Sequence, residues 1–266
     1  MLEVRNLTCG YDEGFKLRNI NLAVPDGTIT GIIGPNGSGK TTLLKAMTGV
    51  LKAGEGGVYL EGRDIRFMKP RGIAKRAAVV SQSVEPVFMT VEDFVLLGRM
   101  PHFGRFQFTE SAEDRRKAAE AIELTDSGRI RDHLMEHISG GERQLVYLAR
   151  AIAQDARLLL LDEPTAHLDI THQVGVLDLI KKLNREFGLT VVMVLHDLNL
   201  AAEYCHSLAL MNDGRLHAVG TPEEVIDYHT IEEVYKTVVV VEKNPISRKP
   251  YVLIVSEEHR RGTGDG

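Results

Sequence analysis

The chain contains no tryptophan, two cysteines and no apolar run of membrane-spanning length. Each scarcity excludes something. Cys9 and Cys205 lie far apart, with no His or Cys partner at metal-ligand spacing. A disulfide framework and a zinc motif are therefore both unsupported, and two inert thiols in a reducing compartment are expected. The longest apolar runs, Leu158 to Leu161, Val191 to Leu195 and Val238 to Val241, fall far short of the ~20 residues a spanning helix needs. The start, Met1-Leu2-Glu3-Val4-Arg5, carries an early acid and no apolar stretch, unlike a secretory signal. Neither sign of charge dominates: 32 basic against 37 acidic residues give −5 and a pI near 6.1. That balance argues against a nucleic-acid partner. There is no internal repeat and no low-complexity tract. What remains is an ordinary globular composition over 266 residues, with room for one large or two small domains. It points to a soluble cytoplasmic protein and to no activity.

Order along the chain says more. Leu2 to Leu7 and Leu17 to Val24 read as strands, separated from Thr28 to Ile33 by the turn Pro25-Asp26-Gly27. Gly56 to Leu60 followed by Glu61-Gly62 reads as a further strand and turn, so the first sixty residues are β-rich with antiparallel features. The middle changes character. Thr90 and Asp93 suit a helix cap, and Thr109 to Leu124 is polar and helical. Thr90 to about His137 is expected to be a mostly helical insertion. Leu145, Leu148, Ala149, Ile152 and Ala153 recur at helical spacing and predict an amphipathic helix. Leu158 to Leu161 is too short for a helix and reads as a buried strand. Ile170 to Phe187 predicts a helix closed by Gly188, and Thr190 to Leu195 a strand covered on both faces. Strand and helix in alternation predict an α/β core with a parallel sheet. Residues 257–266 are polar and glycine-rich and are expected to form a flexible tail.

Gly34-Pro35-Asn36-Gly37-Ser38-Gly39-Lys40-Thr41-Thr42 fits the phosphate-binding pattern G-x-x-x-x-G-K-[ST]. It follows a predicted strand and precedes an apolar helical pattern, the context the pattern requires. Glycines let the backbone turn its N–H groups onto phosphate oxygens, and a helix N-terminus adds positive potential. Lys40 supplies a point charge for the β- and γ-phosphates, and the Thr41 hydroxyl is suited to Mg²⁺.

Two acids, Asp162 and Glu163, end the strand Leu158 to Leu161. Carboxylates at the C-terminal edge of a parallel sheet lie where ligands bind in such folds. Asp162 suits Mg²⁺, and Glu163 can take a proton from an attacking water. His196 follows the next strand and ends at the same edge. Alone it reads as part of a strand–helix turn with Asp197 as cap; a hydrogen bond to a γ-phosphate is the sharper reading. Ser139-Gly140-Gly141-Glu142 has capping-box spacing. It also suits a second anion site at a helix N-terminus, although the charge of Glu142 works against one.

Together these pieces resemble the nucleotide-binding subunit of ATP-binding-cassette (ABC) transporters, over roughly Leu2 to Tyr235. Tyr11 stands where that family's aromatic stacks on adenine. Gln82, after the strand Ala77 to Val80, corresponds to the Q-loop glutamine. Ser139 to Gln144 resembles the signature motif, Leu158 to Glu163 Walker B, Ala166 to Asp169 the D-loop, and His196 the switch histidine. The signature departs at Ile138 and Glu142, where Leu and Gln are commoner. A finer resemblance, to importer ATPases for iron(III)–siderophore, haem and vitamin B12, rests on Thr90 to His102 and Thr165 to Gln173. The stretch Val241 to Val252 resembles the short C-terminal β addition common in that branch.

The resemblance implies a P-loop NTPase fold with a RecA-like parallel core, an N-terminal antiparallel β subdomain and a helical subdomain. It implies a nucleotide-binding domain over 2–236, with the insertion at about 90–137, and a β extension over 237–256. ATP and Mg²⁺ are the implied ligands. Glu163, His196 and Lys40 carry the implied catalysis, and Thr41, Gln82 and Asp162 the metal. Nucleotide contacts fall to Tyr11, Gly34 to Thr42 and Gln82, and to Ser139 to Glu142 and Asp169 of a second copy. The implied partners are a homodimer mate, an integral membrane permease on the inner face of the cell membrane and, indirectly, a substrate-binding protein. The competing readings are a soluble cassette ATPase of the iron–sulfur assembly type and an importer subunit for another metal or solute.

Overall fold

The computed structural model describes the chain apart from residues 12, 13, 15, 82–86, 105, 106, 257 and 259–266. In chain order, β1 (Leu2–Gly10), β2 (Lys16–Val24) and β3 (Ile29–Ile33) lead into α1 (Lys40–Met47). Then come β4 (Glu55–Leu60), β5 (Arg63–Asp64), α2 (Pro70–Ala74) and β6 (Ala77–Val80). The insertion carries α3 (Val91–Leu96) and α4 (Ala112–Leu124), and α5 (Gly140–Ala153) follows. The core then alternates: β7 (Leu158–Asp162), α6 (Ile170–Phe187), β8 (Thr190–Val194), α7 (Leu198–Tyr204), β9 (Ser207–Asn212) and β10 (Arg215–Gly220). The chain closes with α8 (Pro222–Val225), α9 (Tyr228–Tyr235), β11 (Val239–Lys243) and β12 (Pro250–Ile254).

Six strands form the central sheet in the order β10-β9-β3-β8-β7-β6, and only β10 runs antiparallel to its neighbour. A second sheet, β2-β1-β4-β5, is antiparallel throughout. The pleat explains the apolar run in β7. Leu158 and Leu160 join the core toward the antiparallel sheet and α1, whereas Leu159 and Leu161 join the core toward α5 and α6. In β8, Val192 and Val194 take the first side and Val191 and Met193 the second. A strand covered on both faces is apolar along its middle, and the polar residues Asp162 and Thr190 stand at the strand ends.

The structure extends several expectations. β1 runs to Gly10 rather than Leu7 because Asn6, at φ 47°, breaks the pairing register with a bulge before the alternation resumes at Leu7 and Cys9. Cys9 and Cys205 are buried free thiols. On α5, Leu145 and Ile152 are only half-buried, while Val146, Tyr147, Leu148, Ala149, Ala151 and Ala153 are deeply buried. The buried face is wider than the periodicity suggests because α5 is wedged between β6 and the helices α3 and α4. The insertion is mostly helical, as expected, though part of that helix is 3₁₀. Besides α3 and α4 it holds two short 3₁₀ turns, Leu97–His102 and Gly128–Ile130, joined by irregular chain. Its base is closed by a bridge between Thr90 and Leu134.

The insertion is tied to the core through the C-terminal end of α5. A Cβ at Gly98 would lie 2.2 Å from the Arg150 carbonyl, so the 3₁₀ turn packs backbone to backbone on α5. Arg99 pairs with Asp114 at 3.1 Å, both buried, and donates to the Ala153 carbonyl at 2.6 Å. His102 Nε2 contacts the Gln154 carbonyl at 2.9 Å. Burial disfavours the Asp114 carboxylate, but hydrogen bonds from Ser111, Arg99 and Gln107 outweigh it and hold its pKa at about 2. At the other end, the antiparallel hairpin β11–β12 is pinned to α7 by a reciprocal pair. Asn199 Nδ2 donates to the Val252 carbonyl at 3.3 Å, and the Val252 N–H donates to Asn199 Oδ1 at 2.7 Å.

Candidate nucleotide site

The site is built where β3 turns through a glycine-rich loop into α1. Gly34 has φ 145°, and a Cβ there would meet the Met211 carbonyl at 2.2 Å, so β9 presses directly on the loop. Gly37 and Gly39 take φ 79° and 103°, both left-handed. No side chain caps α1, which leaves its first-turn N–H groups to a ligand. The buried Lys40 ammonium spans the loop, donating to the carbonyls of Gly34 at 2.8 Å and Pro35 at 3.0 Å. Burial lowers its pKa, and the charges of Glu163 and Asp162 oppose that. The Ser38 hydroxyl is buried with no hydrogen-bond partner among the described residues. Such an orphan is costly unless a ligand oxygen meets it.

Thr41, one residue into α1, donates to Asp162 Oδ1 at 3.1 Å. Burial raises the pKa of Asp162, and the Thr41 bond pulls it back. Glu163 follows with φ 53°. A non-glycine residue in that region costs about 1–3 kcal/mol and marks functional sites. The turn redirects the second carboxylate, and Glu163 Oε1 is hydrogen-bonded to His196 Nε2. The turn reading of His196 holds. Asp197 caps α7, accepting from the N–H groups of Asn199 at 2.8 Å and Leu200 at 3.0 Å, while His196 faces the acid. Lys40, Thr41, Glu163 and His196 line one cleft of about 420 Å³ with Gly37 and Gly39 of the loop.

Ser139 to Glu142 and Asp169 line no part of that cleft among the described residues. Ser139 caps α5 in a complete box: Glu142 N–H donates to Ser139 Oγ at 3.2 Å, and Ser139 N–H donates to Glu142 Oε2 at 2.9 Å. Hydrogen bonds to the Glu142 carboxyl, from the Ser139 backbone N–H first and then from the Ser139 side chain, hold it below its ordinary value. Asp169 caps α6, accepting from the His172 N–H at 2.9 Å. Tyr11 is exposed just past β1. Gln82 lies outside the described residues. Sequence reasoning missed Tyr235, at the end of α9. Its hydroxyl is buried near the Gly34 backbone with no hydrogen-bond partner among the described residues, and burial pushes its pKa up to about 12. Nothing local to Tyr235 announces this position, since Gly34 lies some two hundred residues earlier in the chain.

A lysine, a hydroxyl and a carboxylate around a glycine cradle at the C-terminal edge of a parallel sheet define a P-loop nucleoside-triphosphatase. The family described as ABC transporter matches residues 17–166. The chain is 39% identical over 256 residues to the iron(3+)-hydroxamate import ATP-binding protein FhuC of Bacillus subtilis (strain 168), covering 95% of this chain and 94% of that one. It is 36% identical over 253 residues to the ferric enterobactin transport ATP-binding protein FepC of Escherichia coli (strain K12), covering 95% and 93%. Among solved structures it is similar to a metal-chelate type ABC transporter in an inward-facing conformation, with TM-score 0.84, 26% identity and coverage of 97% and 98%. The dimeric cassette MJ0796 bound to ADP and Pi gives TM-score 0.73, 31% identity and coverage of 83% and 98%. The chain belongs to the ABC transporter family and is one of its ATPases. Among the described residues no helix is long and apolar enough to cross a membrane.

Proposed function

We propose that this chain is the ATP-hydrolysing subunit of a membrane importer for iron(III)–siderophore or a related chelate, haem and cobalamin included. The observation that carries the reading is its likeness, over nearly its whole length, to import ATP-binding proteins for iron–hydroxamate and ferric enterobactin. That likeness favours import over soluble iron–sulfur assembly.

The phosphates sit on the amides of Gly34 to Thr42, and Lys40 exchanges its loop carbonyls for β- and γ-oxygens. Ser38 finds in a phosphate oxygen the partner its hydroxyl lacks. The Thr41 hydroxyl and the Asp162 carboxylate, hard oxygens in contact, fit Mg²⁺. When bound, that ion neutralises phosphate charge. Gln82 is assigned to the same metal on the family's pattern, and Tyr11 to the adenine. Glu163 accepts the proton of the attacking water, and His196 orients Glu163 and contacts the γ-phosphate.

Each ATP is completed by Ser139, Gly140 and Gly141 of a second copy, with Asp169 at the same face. The capping box consumes the N–H groups of Ser139 and Glu142, so the amides of Gly140 and Gly141 are what remains for the partner's phosphate. Exposed apolar side chains at Phe88, Leu97 and Met100 give the insertion a surface for a cytoplasmic segment of the permease. The ATPase thus works at the inner face of the membrane, and a separate substrate-binding protein delivers the cargo.

The test is ATP-driven uptake in vesicles carrying the partner permease, with ferric siderophore, haem and cobalamin offered in turn. Uptake of one of them that stops with Glu163→Gln is expected. Binding and hydrolysis of ATP with no permease co-purifying would overturn the transport reading.

A further inference from the structure

The two glycines of Ser139-Gly140-Gly141 stand in different surroundings. A Cβ at Gly140 would meet nothing within 4 Å. A Cβ at Gly141 would lie 2.3 Å from Cδ2 and 2.8 Å from Nε2 of His172, on the first turn of α6 in the same chain. The other edge of that ring reaches Asp169: Nδ1 is 2.9 Å from Asp169 Oδ1, the oxygen that also accepts the His172 N–H. With Nδ1 as donor, one imidazole is clasped between the aspartate that starts α6 and the bare second residue of α5. Asp169 and His172 are both exposed in the single chain, on the face assigned above to the second copy.

We propose that His172 is a positioning residue that locks the start of α6 to the start of α5, so that Asp169 and Ser139 to Gly141 meet the partner's nucleotide as one rigid surface. Gly140 is bare to admit the partner's ligand; Gly141 is bare to admit the chain's own histidine. The part of this concerning the partner's nucleotide rests on the proposed shared site. The clasp itself does not, and the first experiment reads it without turnover.

Gly141 has an ordinary helical φ, so Gly141→Ala alone should favour the helix. With His172 present the added methyl collides with the ring, and a fall in Tm of about 2–4 °C is expected. In a His172→Ala background the same change should leave Tm unchanged or raise it. An equal effect of Gly141→Ala in both backgrounds overturns the clasp, whether or not the protein hydrolyses ATP. For the rigid surface, His172→Ala should lower kcat roughly 2- to 30-fold while leaving nucleotide affinity of the single chain unchanged. His172→Asn, which keeps a donor for Asp169, should recover part of that loss. Wild-type kcat in His172→Ala, or a loss that His172→Asn does not relieve at all, overturns the positioning role. A wild-type protein without ATPase activity would instead sink the shared-site reading and leave the melting result to decide the clasp.

Discussion

The P-loop cleft and the Ser139–Asp169 face are made of similar parts and behave differently. In the cleft, residues from α1 and from the ends of β7 and β8 converge: Thr41 on Asp162, His196 on Glu163, Lys40 across the loop. Polar capacity is left over there, in the orphan Ser38 hydroxyl and the uncapped start of α1. On the other face the polar groups are used locally, Ser139 with Glu142 and Asp169 with His172. One region gathers groups from three elements and leaves a hydroxyl over. The other satisfies its polar side chains within single helix starts. A capped helix start and an uncapped one are thus not interchangeable anion sites, even when both are rich in glycine.

Substitutions can pull the two regions apart. Glu163→Gln should strike only the cleft. Turnover is expected to fall by roughly 10²–10⁴-fold, with ATP affinity retained; phosphate release and a fluorescent-nucleotide titration measure the two. Ser139→Arg should do the reverse, leaving single-chain ATP binding intact while abolishing the ATP-bound dimer. Size-exclusion in the Glu163→Gln background reads it, and a normal dimer there would remove the second region from the site.

Arg99→Ala should loosen the second region from behind, since it strips the buried Asp114 and the end of α5 of their partner. A loss of about 3–5 kcal/mol is expected from breaking a buried pair, read by chemical denaturation, with nucleotide affinity changed least. The smallest effect is one of pH. The pKa of Asp114 is lowered from 3.8 to about 2 in the fold. Its contribution is therefore complete above about pH 4 and lost as pH falls through 2. Denaturation midpoints between pH 5 and 2 should decline less steeply in Asp114→Asn.

Much of the cleft was legible because its signals are local. A glycine-rich loop between strand and helix, and acids ending an apolar strand, can be read within a dozen residues. The Glu163–His196 contact was legible only as a shared sheet edge, because the pairing depends on β7 and β8 being neighbours. The left-handed turn at Glu163 had no signal, since glutamate is not a residue that advertises φ 53°. In the sequence, Gly98, Arg99 and His102 carry only a resemblance to the importer branch. Their physical task, fastening the insertion to the carbonyl end of α5, became visible only once α5 lay beside them. The helical character of the insertion is legible in its charge pattern, whereas its 3₁₀ turns and its connections are set by the Thr90–Leu134 bridge and by packing.

The alternation of leucines in β7 has a further consequence, one of parity. Leu158 and Leu160 belong to one core and Leu159 and Leu161 to the other, so the strand cannot slide by a single residue without exchanging every leucine between cores. That indexing extends to the two acids behind them. Asp162 is the last rung and Glu163 the first step off the ladder, and no shift of the backbone can make them trade offices. An Asp162→Glu, Glu163→Asp exchange preserves composition and charge but sets each carboxyl at the wrong reach, and the sheet has no half-step with which to forgive it.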